Sequence, residues 1–299
     1  MKTLSILIKR NVKLFFKDKG MFFTALITPV ILLVLYASFL GNVFRDSLNA
    51  GIPDAYSVPK RIIDGIVGGQ LASSILAVAC ITVAFCTNFV MVQDRASGTV
   101  NDFLVSPVKN AALSFSYYIA ALIATLIVCC TATAVLLVYL GFIGWYLSAT
   151  DVVLLLADVL LLSLFGTALS SIVGFFLKSQ GQMSVVGAIV SAGYGFICGA
   201  YMPLSSFEPG LRNVLMCLPG TYGTGLVRNH LMRGALNEMN DHGVPADAVE
   251  KIKDSLDCNL YFFGNKVSIP VMYLVLFAAT AALIALYIAL NAVKGKKEE

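Results

Sequence analysis

Charge is what this chain has least of. Only 13% of its 299 residues are Asp, Glu, Lys or Arg, against about 25% in a soluble domain. With 58% hydrophobic residues and a mean hydropathy of +0.84, the chain holds more apolar surface than a soluble fold hides, so it reads as an integral membrane protein. Other absences narrow the function. There is no G-x-x-x-x-G-K-[ST] phosphate loop, so the chain binds no nucleotide by that route. There is no H-E-x-x-H, and the only two histidines, His230 and His242, are too few and too far apart for an expected metal centre. A G-x-S-x-G nucleophile elbow is missing as well. No catalytic residue and no cofactor site of its own is expected.

What is present is six apolar runs long enough to cross a bilayer as helices, which takes about 20 residues each. They cover residues 21–41, 66–92, 113–143, 152–177, 183–202 and 269–293. Their length favours helices over barrel strands, which alternate in segments of about ten residues. The first run lacks the short core and small-residue cleavage site of a signal peptide. Lys2, Lys9, Arg10, Lys13, Lys17 and Lys19 precede the first run, and Lys294, Lys296 and Lys297 follow the last. Six spans put both termini on one side, and the basic residues make that side cytoplasmic. The expected organisation is an amphipathic elbow (1–20), a six-span domain (21–293) and a basic cytoplasmic tail (294–299). Outside lie 42–65, a tight turn at 144–150 and a long segment at 203–268.

Within the first 17 residues the basic side chains fall in an arc of roughly 100°, opposite Leu4, Leu7, Ile8, Val12, Leu14 and Phe15. This is the pattern of an interfacial helix on the cytoplasmic leaflet. Gly20 is placed for the bend into the first span. In the long outer segment Pro203, Pro209 and Pro219 stand among several glycines, which predicts short broken helices that re-enter the outer leaflet. A polar helix is expected over 245–260, starting at Pro245 with Asp247 and Glu250 near its positive end.

Of seven cysteines, Cys80, Cys86, Cys129, Cys130 and Cys198 fall in the runs and are expected to pack as small apolar residues. Cys217 and Cys258 fall outside, where they are a candidate disulfide if that side is oxidising. Asp158 is an acid within the fourth run. It is a polar site on a transport path, a hydrogen bond to a neighbouring helix, or a shallow position that water reaches. Gly166, Ser170 and Gly174, with the pairs Gly65/Gly69 and Gly195/Gly199, mark close-contact helix seams.

One polar stretch stands apart: QDRASGTVNDFLVSPVK, residues 93–109, in the first cytoplasmic loop. Asp94 and Arg95 are expected to meet water, Gly98 to turn, and Thr99 to Val105 to form one or two helical turns presenting Phe103 and Leu104. Ser106 and Pro107 suit the N-cap and N1 of the next span. A charged rim around an aromatic–aliphatic knob suits docking into a cleft on another protein. The alternative is a turn that only anchors the loop at the membrane surface.

Here the chain resembles the permease subunits of ATP-binding-cassette transporters of the type-two exporter class. Asp94, Arg95, Gly98, Thr99, Leu104, Ser106 and Pro107 match that family's loop in order, while Ala96 and Asn101 stand where it commonly has Glu. Residues 199–228, GAYMPLSSFEPGLRNVLMCLPGTYGTGLVR, are similar to its segment of small residue, proline, second proline and arginine. The resemblance implies an all-α membrane protein with an elbow helix, six transmembrane helices and re-entrant helices between spans five and six. It implies a second permease copy or paralogue, and two ATPase subunits that bind the ATP and Mg. The 94–107 helix would couple them to the spans through Asp94, Arg95, Gly98, Thr99, Phe103, Leu104 and Pro107. The substrate route would run between permeases, lined by spans one, two and five. Membrane lipid is an expected partner and nucleic acid is not; the expected location is a bacterial cell membrane. An amphiphilic, lipid-like or drug-like cargo suits a pathway with few charges. Export of a lipid-linked glycan, secondary transport through Asp158, and a non-transporting scaffold or immunity protein are the other readings.

Overall fold

The computed structural model describes residues 2–52, 58–104 and 110–298. Helix α1 (Lys2–Lys17) packs mainly on α6 (Asn110–Ile143), burying Leu7, Asn11 and Phe15 at i, i+4 and i+8. The chain then bends at Asp18, not at Gly20. Asp18 is extended, and its Oδ1 accepts the Met21 N–H at 3.1 Å, so a side-chain N-cap restarts the helix. Gly20 lies inside α2 (Lys19–Leu35). Helix α2 continues through one π turn (Tyr36–Leu40) into α3 (Gly41–Gly51). The expected outer loop at 42–65 is therefore largely helix. Arg45 of α3 bonds Asp64 of the next helix at 2.6 Å, which accounts for the extension.

Helix α4 (Lys60–Ala96) is the centre of the molecule, buried along nearly its whole length from Ile62 to Val92. It is surrounded by α1, α2, α6, α7 (Ala149–Phe176), α8 (Gln180–Ile197) and α10 (Pro219–Asp241). Small residues permit this. A Cβ on Gly166 of α7 would fall 2.9 Å from Cys80 O, and one on Gly69 of α4 would fall 3.0 Å from Leu231 O of α10. Polar atoms follow the same seams. Ser170 Oγ donates to Ala84 O at 3.1 Å, and Asn88 Nδ2 donates to Ser171 Oγ at 3.0 Å and Thr167 O at 3.3 Å. Such bonds between membrane helices contribute on average about 0.6 kcal/mol each. The Gly166–Ser170–Gly174 seam thus lies inside the subunit.

After α4, the turn at Gly98 leads to α5 (Thr99–Leu104). The helix start assigned to Ser106 and Pro107, and the coupling role of Pro107, lie outside the described residues. Among the described residues, five helical stretches are long and apolar enough to cross a membrane by length and composition: Lys19–Asp46, Lys60–Ala96, Ala112–Ile143, Ala149–Phe176 and Ile269–Val293. The fifth apolar run forms α8, which is 18 residues long, about 27 Å at 1.5 Å per residue. Its glutamines, glycines and serines dilute its hydropathy. It ends five residues before the expected 202, because Gly199 adopts φ +73° and Tyr201 folds back to donate to Ser191 O at 3.2 Å.

The outer segment departs most from expectation. A 3₁₀ turn (Leu204–Ser206) and α9 (Pro209–Leu215) are short, as predicted. Helix α10, however, is one continuous 23-residue helix with Pro219 in its first turn. Its glycines do not break it. They let it lie against its neighbours: a Cβ on Gly223 would fall 2.6 Å from Leu162 of α7, and Leu276 lies close by. Helix α11 (Ala246–Ser255) starts near the expected place but ends sooner. The chain then forms an antiparallel hairpin, β1 (Leu260–Phe262) with β2 (Asn265–Val267), Leu260 opposite Val267. Phe263 and Gly264 turn it with φ of 46° and 82°, a tight left-handed turn that adds a small sheet to the all-α fold. Helix α12 (Ile269–Glu298) follows and packs on α7 and α10.

The tightest approach is at Gly234 of α10, where an added Cβ would fall 1.8 Å from Tyr146 O. Gly234→Ala should lower the thermal unfolding midpoint in detergent by an amount equivalent to about 1–3 kcal/mol, the cost of overpacking. Gly141→Ala, whose methyl meets nothing within 4 Å, should leave it unchanged.

Candidate functional site

The polar loop after α4 is bound to the neighbouring helices. Asp94 does not meet water. Its carboxylate is buried, receives Arg10 Nη1 at 2.5 Å and Nη2 at 3.1 Å, and accepts the Tyr117 O–H at 2.6 Å. An acid in the last turn of a helix opposes the helix dipole, so this site needs the cation that α1 supplies. Asp94 in turn holds the Arg10 side chain more firmly protonated than usual, through hydrogen bonding and charge. Arg95 Nη1 donates to Gly174 O and Phe175 O, both at 3.1 Å, capping the C-terminus of α7. The Arg10 guanidinium also lies 5.1 Å from the centre of the Phe103 ring. One arginine thus joins the elbow to both the end of α4 and the short helix α5.

This redistributes the expected roles. The charged rim assigned to Asp94 and Arg95 turns inward: Asp94 meets Arg10 of α1 and Tyr117 of α6, and Arg95 meets the end of α7. Phe103 is half-buried against the core and Arg10. Gly98 makes the expected turn at φ +78°, where a side chain would be strained. The Thr99 hydroxyl lies 2.9 Å from that of Ser97. Leu104 ends α5. The sequence reading missed Arg10 and Tyr117 as partners, since nothing in their spacing from Asp94 reveals the contact.

A second polar cluster lies deeper. Asp158 of α7 is buried, 2.5 Å from His230 Nδ1 of α10, and accepts the Tyr273 O–H of α12. One α7 turn pair away, Asp151 forms a capping box with Ser148 and pairs with Arg233 of α10 at 2.5 Å. Asp158 is thus hydrogen-bonded to both neighbouring helices and joins three elements. The hint was a histidine and an arginine three residues apart in the segment LVRNHLMR.

A third cluster locks the outer segment. Arg228, the arginine of the family-like stretch, is buried; its Nη2 donates to Gly199 O at 2.8 Å and its Nη1 faces Asp257 Oδ2 at 3.4 Å. Asp257 also accepts the Leu204 N–H at 2.6 Å and the Ser205 N–H at 3.3 Å. Burial pushes its carboxyl above the usual range, against the pull of Arg228 and those two amides. The 3₁₀ turn, α10 and the start of the hairpin are tied together here. Among the described residues, no group of three or more His, Cys, Asp or Glu side chains could hold a metal ion.

The Cys217–Cys258 disulfide is not formed, and both thiols are free. Cys217 is exposed after α9 and bonds Asn213 O, while Cys258 is buried with its Sγ 4.0 Å from Met232 Sδ. Burial pushes the Cys258 thiol up to about 12. In untreated protein at pH 7.5, maleimide should therefore label Cys217 quickly and Cys258 only after denaturation, read by peptide mass spectrometry. The junction is tested by a double-mutant cycle. Arg10→Ala and Asp94→Ala should each destabilise the protein, with a coupling energy of about 1–3 kcal/mol between them; additive effects would refute the pair.

Against this geometry, the family profile described as ABC-2 type transporter matches residues 2–232. The match runs from the elbow through all the helices around α4 and across most of α10. No curated protein matches the chain. The matched domain is a membrane permease without an ATPase domain, and it implies an ATPase partner. With that match covering most of its length, the chain belongs to the ABC-2 type transporter membrane family.

Proposed function

We propose that this chain is the permease half of an ATP-driven exporter that moves an amphiphilic, lipid-like or drug-like molecule out of the cell, energised by a separate ATPase subunit. The observation that carries this reading is the junction of Arg10 with Asp94 and Phe103. Helix α5 is the only short helix at that end of the molecule among the described residues, and it is joined through one arginine to the elbow. A push on α5 would reach α1 through Arg10, α4 through Gly98, and α7 through Arg95. In this reading α5 is the coupling helix, docked by its outward surface, while Asp94 and Arg95 transmit force inside the subunit. Ala96 and Asn101, in place of the family's carboxylates, leave shape and apolar contact as the stronger part of that docking.

The six-span topology, with α8 as the fifth span and both termini cytoplasmic, fits the basic flanks at both ends. The expected route between permeases is narrowed by the enclosure of α4. Helices α2 and α8, both resting on α4, carry open apolar faces, including Ile27 and Ile31 on α2 and Val185 and Ile189 on α8, as α6 and α12 do with Val138 and Phe277. We assign the surface toward a second permease to these two helices. Alternation would then be a shift between two packings that nucleotide binds unequally. Secondary transport through Asp158 is disfavoured by that group's engagement with His230 and Tyr273.

Co-expression with the cognate ATPase should give a stable complex. Phe103→Asp should weaken that complex or cut transport-coupled ATP turnover at least tenfold. Gly98→Pro, which forbids the positive φ, should do the same without unfolding the spans. Unchanged complex formation and turnover in both would remove α5 from the coupling role.

A further inference from the structure

The hairpin between α11 and α12 lies beyond the residues that the family profile matches. Its two faces differ. Side chains alternate along a strand, and directly paired residues share a face. Tyr261 and its partner Lys266 make one face, and both reach α11: the Tyr261 O–H donates to Asp254 at 2.9 Å, and Lys266 pairs with Glu250. Leu260 and Phe262 lie on the other. Leu260 packs on α10, its Cδ1 2.7 Å from where a Cβ on Gly225 would stand, with Met272 of α12 beside it. The polar face is thus tied to α11, and the apolar face is turned to α10 and the first turn of α12.

The tip is aromatic and open. Phe263 is 65% exposed and Phe262 37%, and their rings meet edge to face with centroids 4.8 Å apart. Phe263 holds φ at 46°, a turn position that glycine or asparagine takes at less cost. A bulky residue there works against the hairpin itself, which points to a use outside the fold. The surrounding medium supplies one. Val267 stands two residues before Ile269, where the apolar stretch Ile269–Val293 begins. Val271 and Leu274 on the first turns of that stretch are exposed, so lipid reaches this level. Strands of three residues span about 10 Å at about 3.3 Å per residue, which keeps the tip within that distance of the bilayer edge. The two rings together open on the order of 200 Å², far less than the roughly 800 Å² per partner of a stable protein interface. Insertion into lipid, in contrast, gains with each ring buried.

We propose that this hairpin is a lipid anchor: Phe262 and Phe263 insert into the bilayer interface beside the start of α12. The contacts of Tyr261 with Asp254 and of Lys266 with Glu250 carry that foothold to α11, so the hairpin sets the height of α11 against the membrane. The anchor does not depend on what the transporter carries or on the role of α5.

The chain has a single tryptophan, Trp145, so Trp145→Phe gives a silent background for the test. Phe263→Trp and Phe262→Trp are each placed on it, and Lys251→Trp, at an exposed position of α11, serves as the probe in water. Each full chain is reconstituted in phosphatidylcholine liposomes, with or without bromine on the acyl chains near the headgroup, and acrylamide is added on both sides of the membrane. Brominated lipid should quench the emission of Phe263→Trp by at least half, and acrylamide should quench it at least threefold less than that of Lys251→Trp. Phe262→Trp should behave alike, which keeps the test sound if the neighbouring variant loses its thermal midpoint. Lys251→Trp should not respond to bromine. Tip emission quenched by acrylamide as strongly as that of Lys251→Trp would put the hairpin in water, and tip emission shielded from both quenchers would put it against protein; either result would overturn the proposal.

Discussion

The enclosure of α4 is the constraint on which the rest depends. In a bilayer, apolar side chains gain little by leaving lipid for protein, so helices associate through close approach and shared hydrogen bonds. A helix surrounded on all sides must therefore present small residues or polar atoms in every direction. Helix α4 does this with Gly65, Gly68 and Gly69 near one end, Ser73, Ser74 and Ala77 in the middle, and Thr87 and Asn88 further on, all of them buried. The partners complete the fit, with Gly166 and Ser170 of α7 meeting Cys80 and Ala84. Each helix placed on α4 then fixes the next.

The scarce charges follow one logic. A lone ion in this environment is expensive, so each buried one joins elements that are distant in the chain. Asp94 binds α4 to the elbow and to Tyr117 of α6. Asp158 binds α7 to α10 and α12. Arg228 binds α10 to the end of α8 and to the residues before β1. These three joints sit at one end of the bundle, within it and near its other end. They are the places where a movement of one helix must be shared by others.

Much of the architecture was legible in the amino-acid order. The apolar runs located the long helices, the basic flanks marked one end, and Gly98 with Thr99 marked the turn and short helix. The failures have physical causes. Helix α10 looked broken because proline and glycine usually end helices in water; here Pro219 stands where a helix tolerates it, and the glycines admit Leu162 and Leu260. Asp94 looked solvent-exposed because charge at the end of a span normally is. Its burial depends on Arg10, 84 residues earlier in the chain, a relation that no local pattern records.

By itself, then, the sequence determined the medium, the long helices and the turn with a short helix after α4, because hydropathy, charge placement and turn chemistry are local properties. Only the tertiary structure decided which charges face inward, which helix is enclosed and which distant residues join one helix to another. Those depend on which surfaces come together, and in a bilayer that choice rests on small differences in fit between helices that hydropathy alone makes nearly alike.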